Sequence, residues 1–236
     1  MTRIALIAKL QEVGRMILDW GIVASWVTAV AAILALFGSY RQGRMANRQR
    51  LFDRRLKIWI TAEKLMQLYR VNSRFLKKDD KPQFAIDACF EWLTNTTFLQ
   101  EISPAISHTF ESEYQLKLHL KLDEMKSLSK EASFVFKGKP RMALAEFIDA
   151  YQALLFGMYQ YQIFLNSMKE SAEKFYWELD EAIENLHEVQ HRAELYDAED
   201  RLAAAYESIA DERMIGKIRR QIRLDGTLAD YLDTLH

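Results

Sequence analysis

The sequence predicts an all-α protein with an N-terminal transmembrane helix, and three observations lead there. Only eight Gly and three Pro occur in 236 residues, so tight turns have little to be built from. Apolar residues recur mostly three and four apart, the spacing of one helix face. Residues 20–40, WGIVASWVTAVAAILALFGSY, carry no charge and as a helix suffice for the roughly 30 Å hydrocarbon layer.

Ahead of that span, Leu6, Leu10, Val13 and Ile17 fall on one face, with Arg3, Lys9, Glu12 and Arg15 elsewhere. Residues 1–19 therefore read as an amphipathic helix in the outer interface. Trp20, Trp26 and Tyr40 suit the interfacial regions, and Arg41, Arg44, Arg48, Arg50, Arg54 and Arg55 follow at once. By the positive-inside rule the N-terminus lies outside and the C-terminal part in the cytoplasm, an arrangement expected of a bacterial inner-membrane protein. Small residues repeat every fourth position in the span, as Gly21-Ser25-Ala29 and Ala24-Thr28-Ala32. Such faces let a second helix approach closely, so a homo-oligomer is an expected partner state, and a pore-forming oligomer one alternative function.

Residues 41–78 extend the helix as a basic stalk, with twelve Lys/Arg against Asp53 and Glu63. Leu51, Arg55 or Ile58, Ala62, Leu65, Tyr69 and Phe75 keep the period. Anionic headgroups account for this charge, and nucleic acid is a disfavoured partner because no reading motif accompanies it. Residues 82–236 are expected to be a cytoplasmic bundle of long, partly coiled-coil-like helices. Its first helix should run from Pro82 to Glu101 and its second from Ala105 to Lys130, with SFVFKGKPR as a loop and Pro140 opening the next. Ala150–Met168 has no charge, yet Gln152, Gln160, Gln162 and Asn166 would need partners in lipid, so it reads as a central core helix rather than a second span.

From Lys169 the chain turns acidic. Residues 170–212 hold fourteen Asp/Glu against Lys174, Arg192 and Arg201, and Phe175, Leu179, Ile183, Leu186, Val189 and Ala193 form the expected buried stripe. A last helix capped by Asp197 or Asp200 presents Leu202, Tyr206, Ile209, Ile215, Ile218 and Ile222. Opposite charge lets the acidic helix and the basic stalk pack side by side, with Arg54, Arg55 and Lys57 as the basic partners.

Chemistry is concentrated in His187-Glu188-Val189-Gln190-His191, which has the H-E-x-x-H form of helical zinc sites. These five residues resemble the zincin metalloproteases. That resemblance implies His187 and His191 as zinc ligands, Glu188 as the general base and Glu207, within Glu207-Ser208-Ile209-Ala210-Asp211, as third ligand. Against it, Arg192 follows the second histidine and no strand is available to hold substrate. At about 100° per residue the two histidines turn away from the stripe of Leu179, Leu186 and Ala193 and share a row with Asp180, Glu184 and Glu194, so both should face water. The single Cys89 excludes an internal disulfide, no phosphate-cradling or nucleophile-elbow motif occurs, and no cofactor is expected.

A single N-terminal span, then FDRRLKIW at residues 52–59, then a helical remainder, is similar to a loose group of small, uncharacterised bacterial inner-membrane proteins. Some are encoded in mobile or phage-defence loci. The likeness covers residues 20–75 and assigns no functional residue. With it, the expected function is a non-enzymatic, membrane-anchored protein that oligomerises or docks a cytoplasmic protein partner, as sensor or effector. A membrane-bound zinc protease is the enzymatic alternative.

Overall fold

The computed structural model describes residues 2–76, 78 and 81–223, while the side chains of residues 1–25, 27 and 30 lie outside the description. Every regular element among the described residues is helical. Two compact units divide the chain, Met1–Arg50 and Leu51–His236.

The first unit consists of the opening part of α1 (Thr2–Asn72). Among the described residues no helix is long and apolar enough to cross a membrane. Of the expected span, residues 20–25, 27 and 30 fall outside the described side chains, as do Gly21, Ala24 and Ser25 of its small-residue face and the amphipathic stripe of residues 1–19. In the described remainder, residues 31–37 are exposed around the whole helix circumference.

The second unit begins with the rest of α1, whose Ile58, Ala62, Leu65 and Tyr69 are buried at helical spacing, while Leu51 and Phe75 at the two ends of the expected row are exposed. A 3-10 turn, Ser73–Phe75, ends it at the polar break. The next helix, α2 (Ile86–Thr94), is shorter than the expected 82–101. Thr94 turns its hydroxyl back to the Phe90 and Glu91 carbonyls at 2.9 and 3.2 Å, and Thr96 Oγ1 accepts the Leu99 N–H at 3.2 Å. These side chains compete with helix propagation. A second 3-10 turn, Gln100–Ile106, absorbs Pro104, and α3 (Ser112–Val135) starts and stops later than expected.

Three residues of loop follow. Gly138 has φ +61 and ψ −145, a conformation that favours glycine, and it re-aims the chain into α4 (Lys139–Phe175) with Pro140 in the first turn. The uncharged Ala150–Met168 lies inside α4, which packs most extensively on α3 and on α6 (Glu188–Ala210). This is the core helix the sequence predicts. Several of its polar groups find partners in the protein: the buried Tyr151 hydroxyl donates to Leu93 O at 2.7 Å, Tyr159 to Thr109 O at 2.8 Å, Asn166 reaches Thr109 Oγ1 at 3.1 Å and Gln162 Nε2 donates to Asn166 Oδ1 at 3.0 Å, while Gln162 Oε1 is buried with no partner among the described residues.

The acidic helix expected from Lys169 to Ala193 is interrupted twice. Tyr176 adopts a left-handed conformation at φ 57, and α5 (Leu179–Asn185) begins after it behind a Glu178–Glu181 capping box. His187, at φ 56, stops α5 and caps α6. The breaks rotate the stripe. Phe175, Leu179, Val189 and Ala193 are exposed, and the face α6 buries is Glu188, Arg192, Leu195, Ala198, Leu202 and Ile209. A short α7 (Glu212–Ile222) closes the bundle on Ile218 and Ile222.

The basic stalk and acidic helix do pack together, within one chain. Tyr69 and Tyr206 rings stand 5.0 Å apart and Lys78 pairs with Asp200, whereas the contact of Glu63 with Arg219 of α7 at 3.5 Å has the signs the other way round. The basic partners differ from Arg54, Arg55 and Lys57: Arg54 pairs with Glu131 of α3 at 3.6 Å, Arg55 binds carbonyls and Lys57 is exposed.

Candidate functional site

The five residues of the zinc motif do not converge. His187 sits outside α6 as its cap and is exposed, while His191 is exposed with its ring 4.3 Å from that of Phe164. Glu207 lies on α6 itself, not on an adjoining helix, sixteen residues after His191 and so about 24 Å along the axis at 1.5 Å per residue. No metal bridges that distance, and no group of three His, Cys, Asp or Glu is arranged as a metal site among the described residues. Glu188 is 0% exposed and reaches no substrate as a base.

What Glu188 does instead is organise a polar seam between α4, α6 and the segment before α2. The Tyr161 hydroxyl donates to Glu188 Oε1, and accepts the Gln83 N–H at 3.2 Å. Arg192, one turn on from Glu188 and itself buried, sets its guanidinium 3.6 Å from Oε2. Gln83 Nε2 donates to the Tyr196 hydroxyl at 2.8 Å, which joins the next turn of α6 to the same segment. Burial, reinforced by Glu188, pushes the Tyr161 hydroxyl well above its ordinary range, so it stays a donor at physiological pH.

At the outer end of the seam, burial pushes the Glu199 carboxyl up to about 7; Lys78 opposes the rise and Asp200 adds to it. Burial also pushes the Cys89 thiol up, with Glu199 and Asp87 contributing, so little reactive thiolate forms. Gln83, Cys89, Met158, Tyr196 and Glu199 help line a cavity of about 10 Å³, room for one water rather than a substrate. Because Glu199 binds its proton more tightly folded than unfolded, its contribution is full below about 4.5 and is lost as pH rises through about 7. Glu199→Gln should therefore stabilise the protein at pH 8, by on the order of 1 kcal/mol after solvent screening, and change little at pH 4. Thermal melts across that range check the sign.

A second node forms where α1 enters the bundle. Arg55 Nε donates to Val135 O at 2.7 Å and its Nη1 to Gln221 O at 2.5 Å, with the guanidinium 5.7 Å from the Phe136 ring centre. One cation thus caps the C-terminal carbonyls of both α3 and α7. The Gln221 side chain completes the node by bonding the Lys137 N–H and C=O at 2.9 and 3.0 Å. Of the six arginines from Arg41 to Arg55, Arg41, Arg44, Arg48 and Arg50 are exposed in the first unit, Arg54 pairs with Glu131, and Arg55 alone serves the core. Thr28, Ala29 and Ala32 of the small-residue face are exposed.

Sequence reasoning missed both nodes. The available signal was the spacing 188, 192, 195, 198, 202, a heptad-like row whose first two members are charged. No family model, curated protein or solved structure matches the chain.

Proposed function

We propose that the chain is a membrane-anchored interaction protein, held in a bacterial inner membrane by residues 20–40 with its helical bundle in the cytoplasm, and that it acts by assembly and docking. The observation that carries this reading is the outward display of Ile33, Leu34, Leu36 and Phe37 around two turns of α1, beside exposed Trp26 and Tyr40. An apolar surface on all sides of a helix is costly in water and favourable in lipid. The arginines from Arg41 onward support the orientation, and the small residues at Gly21-Ser25-Ala29 and Ala24-Thr28-Ala32 support pairing of two copies. The buried Glu188 favours this reading over a zinc protease.

The full chain should stay with bacterial membranes in alkaline carbonate and leave them in detergent. Ala32→Arg with Leu34→Asp, each costing about 2.5–3.5 kcal/mol at the centre of a span, should release it. With Cys89→Ala, a cysteine at Thr2 should react with an impermeant thiol reagent in intact cells and one at Lys137 should not. A wild-type chain that is soluble without detergent would overturn the anchor.

A further inference from the structure

One end of the bundle is rich in exposed cations, and the Arg55 node gathers the segments that carry them. By gathering Val135, Lys137 and Gln221 around one side chain, it places the last turn of α3, the 136–138 loop, the start of α4 and the end of α7 together. Those segments expose Lys130, Lys137, Lys139, Arg141, Arg220 and Arg223. Nearby carboxylates are Asp53 and Glu131, the latter already facing Arg54. Arg55 absorbs the negative ends of two helix dipoles, so these exposed cations keep their charge uncompensated. Phe134, one turn on from Lys130 in the last turn of α3 and lining one shallow hollow with Lys130, Glu131 and Arg54, is 86% exposed, covered by none of the described residues.

We infer that this end of the bundle is a docking surface for an anionic membrane. Several cations around a protruding aromatic match a lipid interface, where headgroup charge attracts the former and the acyl boundary takes the latter. A single-stranded nucleic acid would use the cations and stack a base on the ring; lipid is favoured because the anchored reading brings a membrane to this chain and no nucleic-acid reading motif accompanies the charge. The inference rests on the anchored reading for its setting: Leu51, the first residue of this unit, is four residues from Arg55, so the basic end is near the span in sequence. Docking there would hold the opposite end, with α2 and the start of α3, towards the cytoplasm for a protein partner.

The test uses the full chain carrying Cys89→Ala and Phe134→Cys, labelled with an environment-sensitive fluorophore. It is reconstituted with vesicles of phosphatidylcholine, or of equimolar phosphatidylcholine and phosphatidylglycerol. With the anionic vesicles the probe should shift to the blue and be quenched by headgroup nitroxides; at roughly 1 M salt, where screening acts within about 3 Å, the response should vanish. A probe at Phe110→Cys, before the start of α3, should respond to neither lipid. Lys137→Glu with Lys139→Glu and Arg220→Glu should abolish the Phe134 response while the chain still resists alkaline carbonate. A probe equally quenched in both vesicles, or a response surviving the three reversals, would overturn the docking surface. So would a probe responding to an added RNA oligonucleotide and not to anionic lipid. If the chain washes off in carbonate yet the probe still responds to anionic vesicles, the anchor fails and the docking surface stands.

Discussion

Glu188→Ala is expected to destabilise the bundle by about 3–5 kcal/mol, the usual cost of removing one member of a buried ion pair. The substitution leaves the Arg192 charge buried without its carboxylate and takes the acceptor from the Tyr161 hydroxyl. At this chain length the loss corresponds to a fall in Tm on the order of ten degrees, read by circular dichroism in detergent. Replacing the whole cluster, Tyr161→Phe, Glu188→Leu and Arg192→Met together, should recover most of it, because a packed apolar trio has no charge to desolvate. The zinc-protease reading expects the opposite pattern: Glu188→Ala would abolish hydrolysis and leave the melt unchanged. An unaltered Tm would therefore remove the structural role given to the seam.

Arg55→Ala comes second, at about 2–3 kcal/mol, since two charge-assisted hydrogen bonds and the contact with Phe136 are lost at once. Arg55→Lys should recover less than half, because one ammonium cannot present two separated donors to Val135 O and Gln221 O. Hydrogen exchange locates the damage. Amides at the end of α7 should lose protection first, as that helix is short and tied to the rest through Gln221. Uniform loss across the bundle, or none, would show that Arg55 is not what holds α7.

Much of this architecture is legible in the sequence. Low Gly and Pro content and three-four spacing give the helices; the glutamines of Ala150–Met168 mark a core helix rather than a span; and Ile58-Ala62-Leu65-Tyr69 is a buried row, whereas the last helix expected behind Asp197 or Asp200 is two, since both aspartates lie inside α6 and the chain breaks at Asp211 before α7. The histidines of the zinc motif are exposed as expected, but not for the expected reason: the stripe they are measured against is itself exposed at Leu179 and Ala193, and the helix breaks at His187. What hydropathy misses are the places where polar groups occupy core positions. Because Glu188 and Arg192 are charged, the face containing them reads as solvent-exposed, and Val189 and Ala193 are chosen in their place. The misreading was helped by a break without its usual marker: Tyr176 and His187 take the left-handed conformation normally signalled by Gly or Asn. Arg55 illustrates the converse limit. In a run of six arginines nothing local separates the one that caps two helices from those beside it, since its partners lie 80 and 166 residues away.

That last separation has a consequence in time. At about 5–20 residues per second, a ribosome needs roughly ten to thirty seconds between making Arg55 and making Gln221. Throughout that interval the α7 half of the node does not exist, and a nascent chain carries Arg55 as one more cation beside Arg54. Synthesis of the final helix then withdraws it. The same guanidinium thus serves two successive surroundings, first a run of exposed cations and then the end carbonyls of α3 and α7.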